Sequence, residues 1–199
     1  MAAHGGVFGV RIPSTEPGPT PSAWVTLADV GRAADVSRQA VYLHFTNRAG
    51  LLRAMAKHVD RRSGFVDRLA ATRALPPQRL ERTLREWFAY LPLILPIARA
   101  LEAAAITGDD GADAYHERMS EWREALYRAS AALDRSDALA PGWTVDEAAD
   151  WIWAAVHPSR YHHLVTERGW PPERVGDRTI TTLLGALLAA PASTTQPQA

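Results

Sequence analysis

The sequence predicts an all-α chain, with a small helix-turn-helix head ahead of a larger helical body. Three observations predict it. From Val25 to about Ala190 apolar residues recur at helical spacing, and no stretch alternates apolar with polar residues as a half-buried strand would. Capping signatures punctuate that run at helix-length intervals. Two of the predicted helices are short and joined by a turn of only three residues, which is how a helix-turn-helix reads.

The elements follow in order. Residues 1–23 carry Gly5, Gly6, Gly9, Gly18, Pro13, Pro17, Pro19 and Pro21, a density that defeats helix and central strand alike, so a disordered leader is expected. In "VTLADV" Thr26 stands at an N-cap with Asp29 three residues on, and Val25 and Val30 form a hydrophobic staple, opening a helix over 27–34. "VSRQAV" repeats the device: Ser37 caps, Val36 staples to Val41, and the helix covers 38–44. Asn47 caps a third, over 48–70. A long helix over 77–106 contains Pro92 and Pro96, each removing an amide donor, which predicts a bend. Helix 112–134 follows. "WTVDE" is a capping box of Thr144 and Glu147 opening a helix over 145–168; Gly169 followed by Trp170 fits a Schellman stop, and Pro171-Pro172 starts the last helix, over 172–190. Residues 191–199 read as a disordered tail. The domain reading is a leader 1–23, a head 24–62, a body 63–190 and the tail.

Composition bounds the function. The 199 residues are 47% hydrophobic and 22% charged, enough to bury a core. There is no cysteine, which excludes disulfides and Cys-based zinc sites and points to a reducing compartment. No run of about 18 apolar residues is expected to span a membrane, and no basic-then-apolar signal opens the chain. A cytoplasmic protein without membrane association is the expectation. The net charge is zero but uneven: residues 1–62 hold eight Arg/Lys and four Asp/Glu, giving +4, and residues 63–199 hold fourteen and eighteen, giving −4. A basic front on an acidic body permits nucleic-acid binding at the front.

The head gives that charge a geometry. The second helix of such a motif fits the major groove, with its N-terminal side chains at base edges. Arg38 can fork onto guanine and Gln39 can pair with adenine, each good pair discriminating by about 1–3 kcal/mol. Ser37, Tyr42, His44 and Arg48 supply hydroxyl, imidazole and guanidinium donors that would hold phosphates and fix the docking register. The stretch "TLADVGRAADVSRQAVYLHFTNRAGLL" resembles the DNA-binding signature of the TetR (tetracycline-repressor-type) family of transcriptional regulators. Thr26, the "AADVS" turn, Val41-Tyr42, His44-Phe45, Asn47-Arg48 and Leu51-Leu52 carry the resemblance, over about 27 of the 199 residues. It implies DNA contacts from Thr26, Ser37, Arg38, Gln39, Tyr42, His44 and Arg48, and a double-stranded DNA partner. Two departures stand out. Asp35 occupies a turn position where the family usually has Gly, and the family's usual first helix is missing or unrecognisable in the Pro/Gly-rich leader.

The resemblance also implies a body that encloses a small-effector pocket and forms a homodimer. Around the expected bend, Trp87, Tyr90, Leu91 and Ile94 face candidates Tyr115, Met119 and Trp122, with Trp153 and His157 beside Pro158, and Met55 and His58 at the inner end of helix 48–70. Such a lining suits an apolar or aromatic effector, although aromatic stripes at helical spacing are also ordinary core. The last two helices are the expected dimer surface, through Ile152, Val156, Ser159 and His163 on one and Ile180, Leu183, Leu184 and Leu187 on the other, in an isologous four-helix bundle. The same stripe would equally cover the chain's own core. His157, His162 and His163 do not fall at the i, i+4 spacing of a helical metal pair, so neither metal nor cofactor is expected, and the chain is read as a ligand-responsive repressor rather than an enzyme. A dimerisation module with a degenerate head, and a small helical enzyme, are the alternatives.

Overall fold

The computed structural model describes residues 48–71, 73–109 and 111–189. The expected leader, the helices expected over 27–34 and 38–44, and the tail lie outside the described residues. Within them the chain is all-α: α1 (Arg48–Ser63), α2 (Phe65–Ala71), α3 (Pro76–Thr107), α4 (Ala112–Arg135), α5 (Val145–Ala155), α6 (Pro158–His162) running into a π-helical turn His163–Glu167, and α7 (Pro172–Leu187).

Local chemistry sets the boundaries. Helix 48–70 is two helices, because Gly64 adopts φ +64°, a conformation open to glycine at no steric cost; Ser63 Oγ then caps Phe65 N at 3.2 Å. The helix expected over 145–168 is likewise broken. Pro158 has no amide to give the Ala154 carbonyl and forces His157 out of helical geometry (φ −60°, ψ 137°). Its start is as expected: Thr144 Oγ1 accepts from Glu147 N at 3.2 Å, and Glu147 Oε2 accepts from Thr144 N at 3.0 Å. Gly169 closes the π turn at φ +68°, and Trp170 N reaches back to Leu164 O at 2.9 Å. The last helix ends at Leu187. Leu188 is extended and pairs with Leu139, with Ala140 N on Leu187 O at 2.8 Å.

Helix α3 is the central element, packed by α1, α2, α4, α6 and α7. It is unbroken across Pro92 and Pro96. Contrary to the expectation of no such run, it is the one helix among the described residues long and apolar enough to cross a membrane. Here it is a core helix: Leu80, Leu84, Tyr90, Leu91, Ile94 and Leu101 are buried between the neighbouring helices, each large side chain contributing about 1.5–3 kcal/mol of burial. Leu126 and Leu133 of α4, Ala148 and Ile152 of α5, and Val175, Leu183 and Leu187 of α7 complete the same core.

A candidate effector cavity and the latch beside it

The inner end of α1 is tied to the body by a polar cluster. Asp60 lies three residues from the end of α1, and its carboxylate is forked by Arg118 of α4, Nη2 to Oδ1 at 2.9 Å and Nη1 to Oδ2 at 3.1 Å. The Tyr90 hydroxyl of α3 donates to Asp60 Oδ1 and accepts from Arg118 Nη2 at 2.9 Å. Burial, with the neighbouring carboxylate, pushes the Tyr90 phenol well above its usual range, so it stays a donor. Three helices therefore meet in one closed ring of charge-assisted bonds, which are about twice as strong as neutral ones. A second tie, Arg53 to Glu117 at 3.3 Å, is exposed and contributes little.

Arg118 also belongs to the wall of a closed cavity between α3, α4 and the α5–α6 junction. Trp87, Ile94, Leu101, Tyr115, Met119 and His157 share that wall, with Ala98, Glu102 and Pro158. Its open volume is about 20 Å³, room for roughly one water. Trp122 stacks on Trp87 with ring centroids 4.4 Å apart. Trp87 gives its indole N–H to Val156 O at 2.9 Å, whereas the buried Trp122 indole N–H has no partner.

One histidine closes the cavity. His157 Nδ1 accepts from Ser159 N at 3.2 Å, capping α6. That bond fixes the ring as the neutral Nε2–H tautomer, which donates to the Tyr115 hydroxyl at 3.1 Å. Burial lowers the His157 pKa and raises that of Tyr115, in keeping with a neutral pair. Behind it, Glu102 accepts from Arg99 Nη1 at 2.6 Å and from the Ser159 hydroxyl at 2.5 Å. His157 also lines an open groove of about 770 Å³ on the outer side, between α5, the π turn and α7, with Trp153, Arg160, Trp170, Arg178 and Thr182.

Of the expected pocket residues, Trp87, Ile94, Tyr115, Met119 and His157 come together. The others do not. Tyr90 and Leu91 are core, although Tyr90 keeps its hydroxyl at the latch, and Trp122 packs behind the wall on Trp87. Met55 packs against the core from α1, His58 is exposed on α1, and Trp153 lines the outer groove. Arg118, Glu102 and the latch were not anticipated. An Arg in an amphipathic helix reads as a surface residue, and its partner is 58 positions away. For the dimer stripe, Ile152, Val156, Ile180, Leu183 and Leu187 are buried in the protomer itself. Leu184 and Ser159 are partly exposed and His163 is exposed. The DNA-contact candidates Thr26, Ser37, Arg38, Gln39, Tyr42 and His44 lie outside the described residues, as does the side chain of Arg48, whose backbone opens α1.

Comparison with known proteins finds likenesses to bacterial regulators. The family model for bacterial regulatory proteins of the tetR family matches residues 23–55. The HTH-type transcriptional repressor LfrR of Mycolicibacterium smegmatis is 27% identical over 167 residues, covering 83% of this chain and 82% of that one. The crystal structure of LfrR in complex with proflavine superposes with a TM-score of 0.51 at 24% identity, over 83% of this chain and 86% of that one. The ketosteroid transcriptional regulator KstR2 of Mycobacterium tuberculosis gives a TM-score of 0.58 at 18% identity, over 83% and 85%. At such identities the superpositions speak for the fold.

Proposed function

We propose that the chain is a regulator of the TetR family, which its matched segment and its repressor relative support: a cytoplasmic, ligand-responsive repressor that binds a palindromic operator as a homodimer. The head is residues 24–62, and the body, 63–190, holds the effector. In the head Arg38 and Gln39 meet base edges, while Thr26, Ser37, Tyr42, His44 and Arg48 meet phosphates. The observation that carries the ligand response is the position of Arg118: one guanidinium lines the cavity and also grips Asp60 at the end of α1. Helix α1 overlaps the matched regulatory segment over residues 48–55. A ligand that enlarges the cavity against Arg118 would move it, and through Asp60 the helix that leads out of the head. A coupling of about 1–3 kcal/mol, ordinary for such linkage, changes operator affinity about 5–150-fold. That the LfrR structure holds proflavine, a flat aromatic, supports an aromatic effector here too.

The test is binding of the full chain to its own upstream DNA at several salt concentrations. Affinity should fall with salt, and Arg38→Ala should relax one base preference rather than weaken all sequences equally. Equal affinity for upstream and random duplex would instead mean a dimerisation module with a degenerate head. Asp60→Asn keeps the shape of the latch but removes its charge. It should lower unfolding stability by about 1–3 kcal/mol, the usual scale for a bond to a charged group, and reduce the change in operator affinity caused by an inducing ligand. A variant that responds as fully as wild type would remove the latch from the mechanism.

A further inference from the structure

The cavity wall has a one-sided inventory of hydrogen-bonding groups. Tyr115 accepts from His157 Nε2–H, because the Ser159 amide has already claimed Nδ1; its own hydroxyl proton is therefore uncommitted. Arg118 spends Nη1 and Nη2 on Asp60 and Tyr90, and its Nε–H has no partner among the described residues. Behind the wall, one turn along α4 from Arg118, the Trp122 indole N–H is buried against Trp87 and unpartnered. A buried donor left alone costs about 1–3 kcal/mol. The acceptor side is already filled: the Glu102 carboxylate is matched by Arg99 and Ser159. Pro92 and Pro96 free the carbonyls of Phe88 and Pro92, but at about 100° per residue these lie on the flank of α3 away from Trp87, Ile94 and Ala98.

We propose that the cavity selects a flat aromatic ligand bearing a hydrogen-bond acceptor, best a carboxylate, read by the Tyr115 hydroxyl and the Arg118 guanidinium. The inference rests on reading this cavity as the effector site, and it narrows the ligand class. The Trp87–Trp122 stack and Met119 supply the apolar bed. Met119 is unbranched and adaptable, which matters because the cavity must grow towards the roughly 150 Å³ of a cavity that takes up benzene. A ligand carboxylate replaces the Asp60 carboxylate on Arg118 like for like, so the guanidinium never loses its counter-charge while α1 is set free. A cationic aromatic would meet Arg118 as a like charge and leave both donors unanswered. Burial keeps Tyr115 protonated, hence a donor, through the neutral range.

The experiment is calorimetric titration of the full chain with 2-naphthoate, its neutral isostere 2-naphthylmethanol, and the cation proflavine, with operator binding measured alongside. Naphthoate should bind one site per chain at least about tenfold more tightly than the neutral isostere and should weaken operator binding. Tyr115→Phe should cut that preference several-fold, and Arg118→Gln should abolish it. Should Arg118→Gln fold poorly, Tyr115→Phe carries the same test, since it removes one oxygen from a half-buried ring. Equal binding of naphthoate and naphthylmethanol overturns the proposal. So does naphthoate binding that survives Tyr115→Phe and is lost in Arg178→Ala, because that places the ligand in the outer groove. Proflavine binding and releasing operator without naphthoate doing so overturns the ligand class and leaves the ligand-responsive reading standing. Failure of all three probes to bind overturns both.

Discussion

At the scale of single residues, His157 joins the most functions. It caps α6, orients Tyr115 and separates the cavity from the outer groove. The cap requires the neutral ring, since a protonated Nδ1 cannot accept from Ser159 N. Burial depresses its pKa below 6.5, Glu102 opposes that shift, and Arg99 adds to it; His162 is depressed in the same direction, by burial first. The sign is fixed by linkage. Between the unfolded value near 6.5 and the lower folded value, the unfolded chain binds protons that the folded chain refuses. The stabilisation is therefore whole above about pH 6.5 and is lost as pH falls through the folded pKa. Denaturation midpoints should drop as pH is lowered from 7.5 to 5.5. His157→Asn keeps an oxygen to cap Ser159 and does not titrate, so its midpoint should fall less steeply. A slope identical to wild type would mean that the acid sensitivity comes from elsewhere.

At the scale of elements, α7 contains two glycines with opposite expectations. A Cβ on Gly176 would stand 3.2 Å from Phe88 Cβ and 3.3 Å from Phe88 Cγ, atoms close to the backbone of α3 that cannot swing away. A Cβ on Gly185 meets nothing within 4 Å. Gly185→Ala should therefore gain the helix preference of alanine, about 0.5–1 kcal/mol. Gly176→Ala should lose more than that to overpacking, about 1–3 kcal/mol. Thermal midpoints moving in opposite directions would confirm that α7 packs on α3 at Gly176. Equal upward shifts would show that the contact yields. The contrast also shows what kind of information was legible. Signals that act within a few residues were readable: the Thr144–Glu147 box, the Pro171-Pro172 start and the Gly169 stop all form as the spacing implied. The breaks at Gly64 and Pro158 were equally local, but apolar periodicity on both sides masked them. Gly176 was invisible, because its role depends on Phe88 on another helix. The cavity behaved in the same way. The residue types along its wall were evident from the aromatic content, whereas the Asp60–Tyr90–Arg118 ring is a meeting of three distant segments.

At the scale of the whole molecule, a palindromic operator requires two heads about 34–36 Å apart, and hence a second copy of the chain. The apolar stripe of α7 cannot supply the contact, since Val175, Ile180, Leu183 and Leu187 are spent on the protomer's own core. Its opposite face remains. From Thr179 to Ala189 the sequence has no charged residue, yet Thr181, Thr182, Gly185 and Ala186 are exposed. Across from them α5 exposes Ala154 and Trp151, the latter 54% accessible. Depletion of charge with an exposed aromatic is how the centre of an interface is composed, and two such helices from each copy would form a two-fold bundle. Large charged residues placed there should separate the copies without touching the core. In sedimentation experiments the doubly substituted Ala154→Arg, Thr181→Arg chain should run as a monomer, with a thermal midpoint within a few degrees of the wild-type protomer. Leu183→Arg, which buries a charge against α3, should instead unfold, because an unpaired charge in a core is among the costliest single changes. The monomeric double variant should bind a full palindrome no better than an isolated half-site. If it remains dimeric and keeps full affinity, the two heads are joined through another surface, and the uncharged face of α7 faces solvent for a different reason.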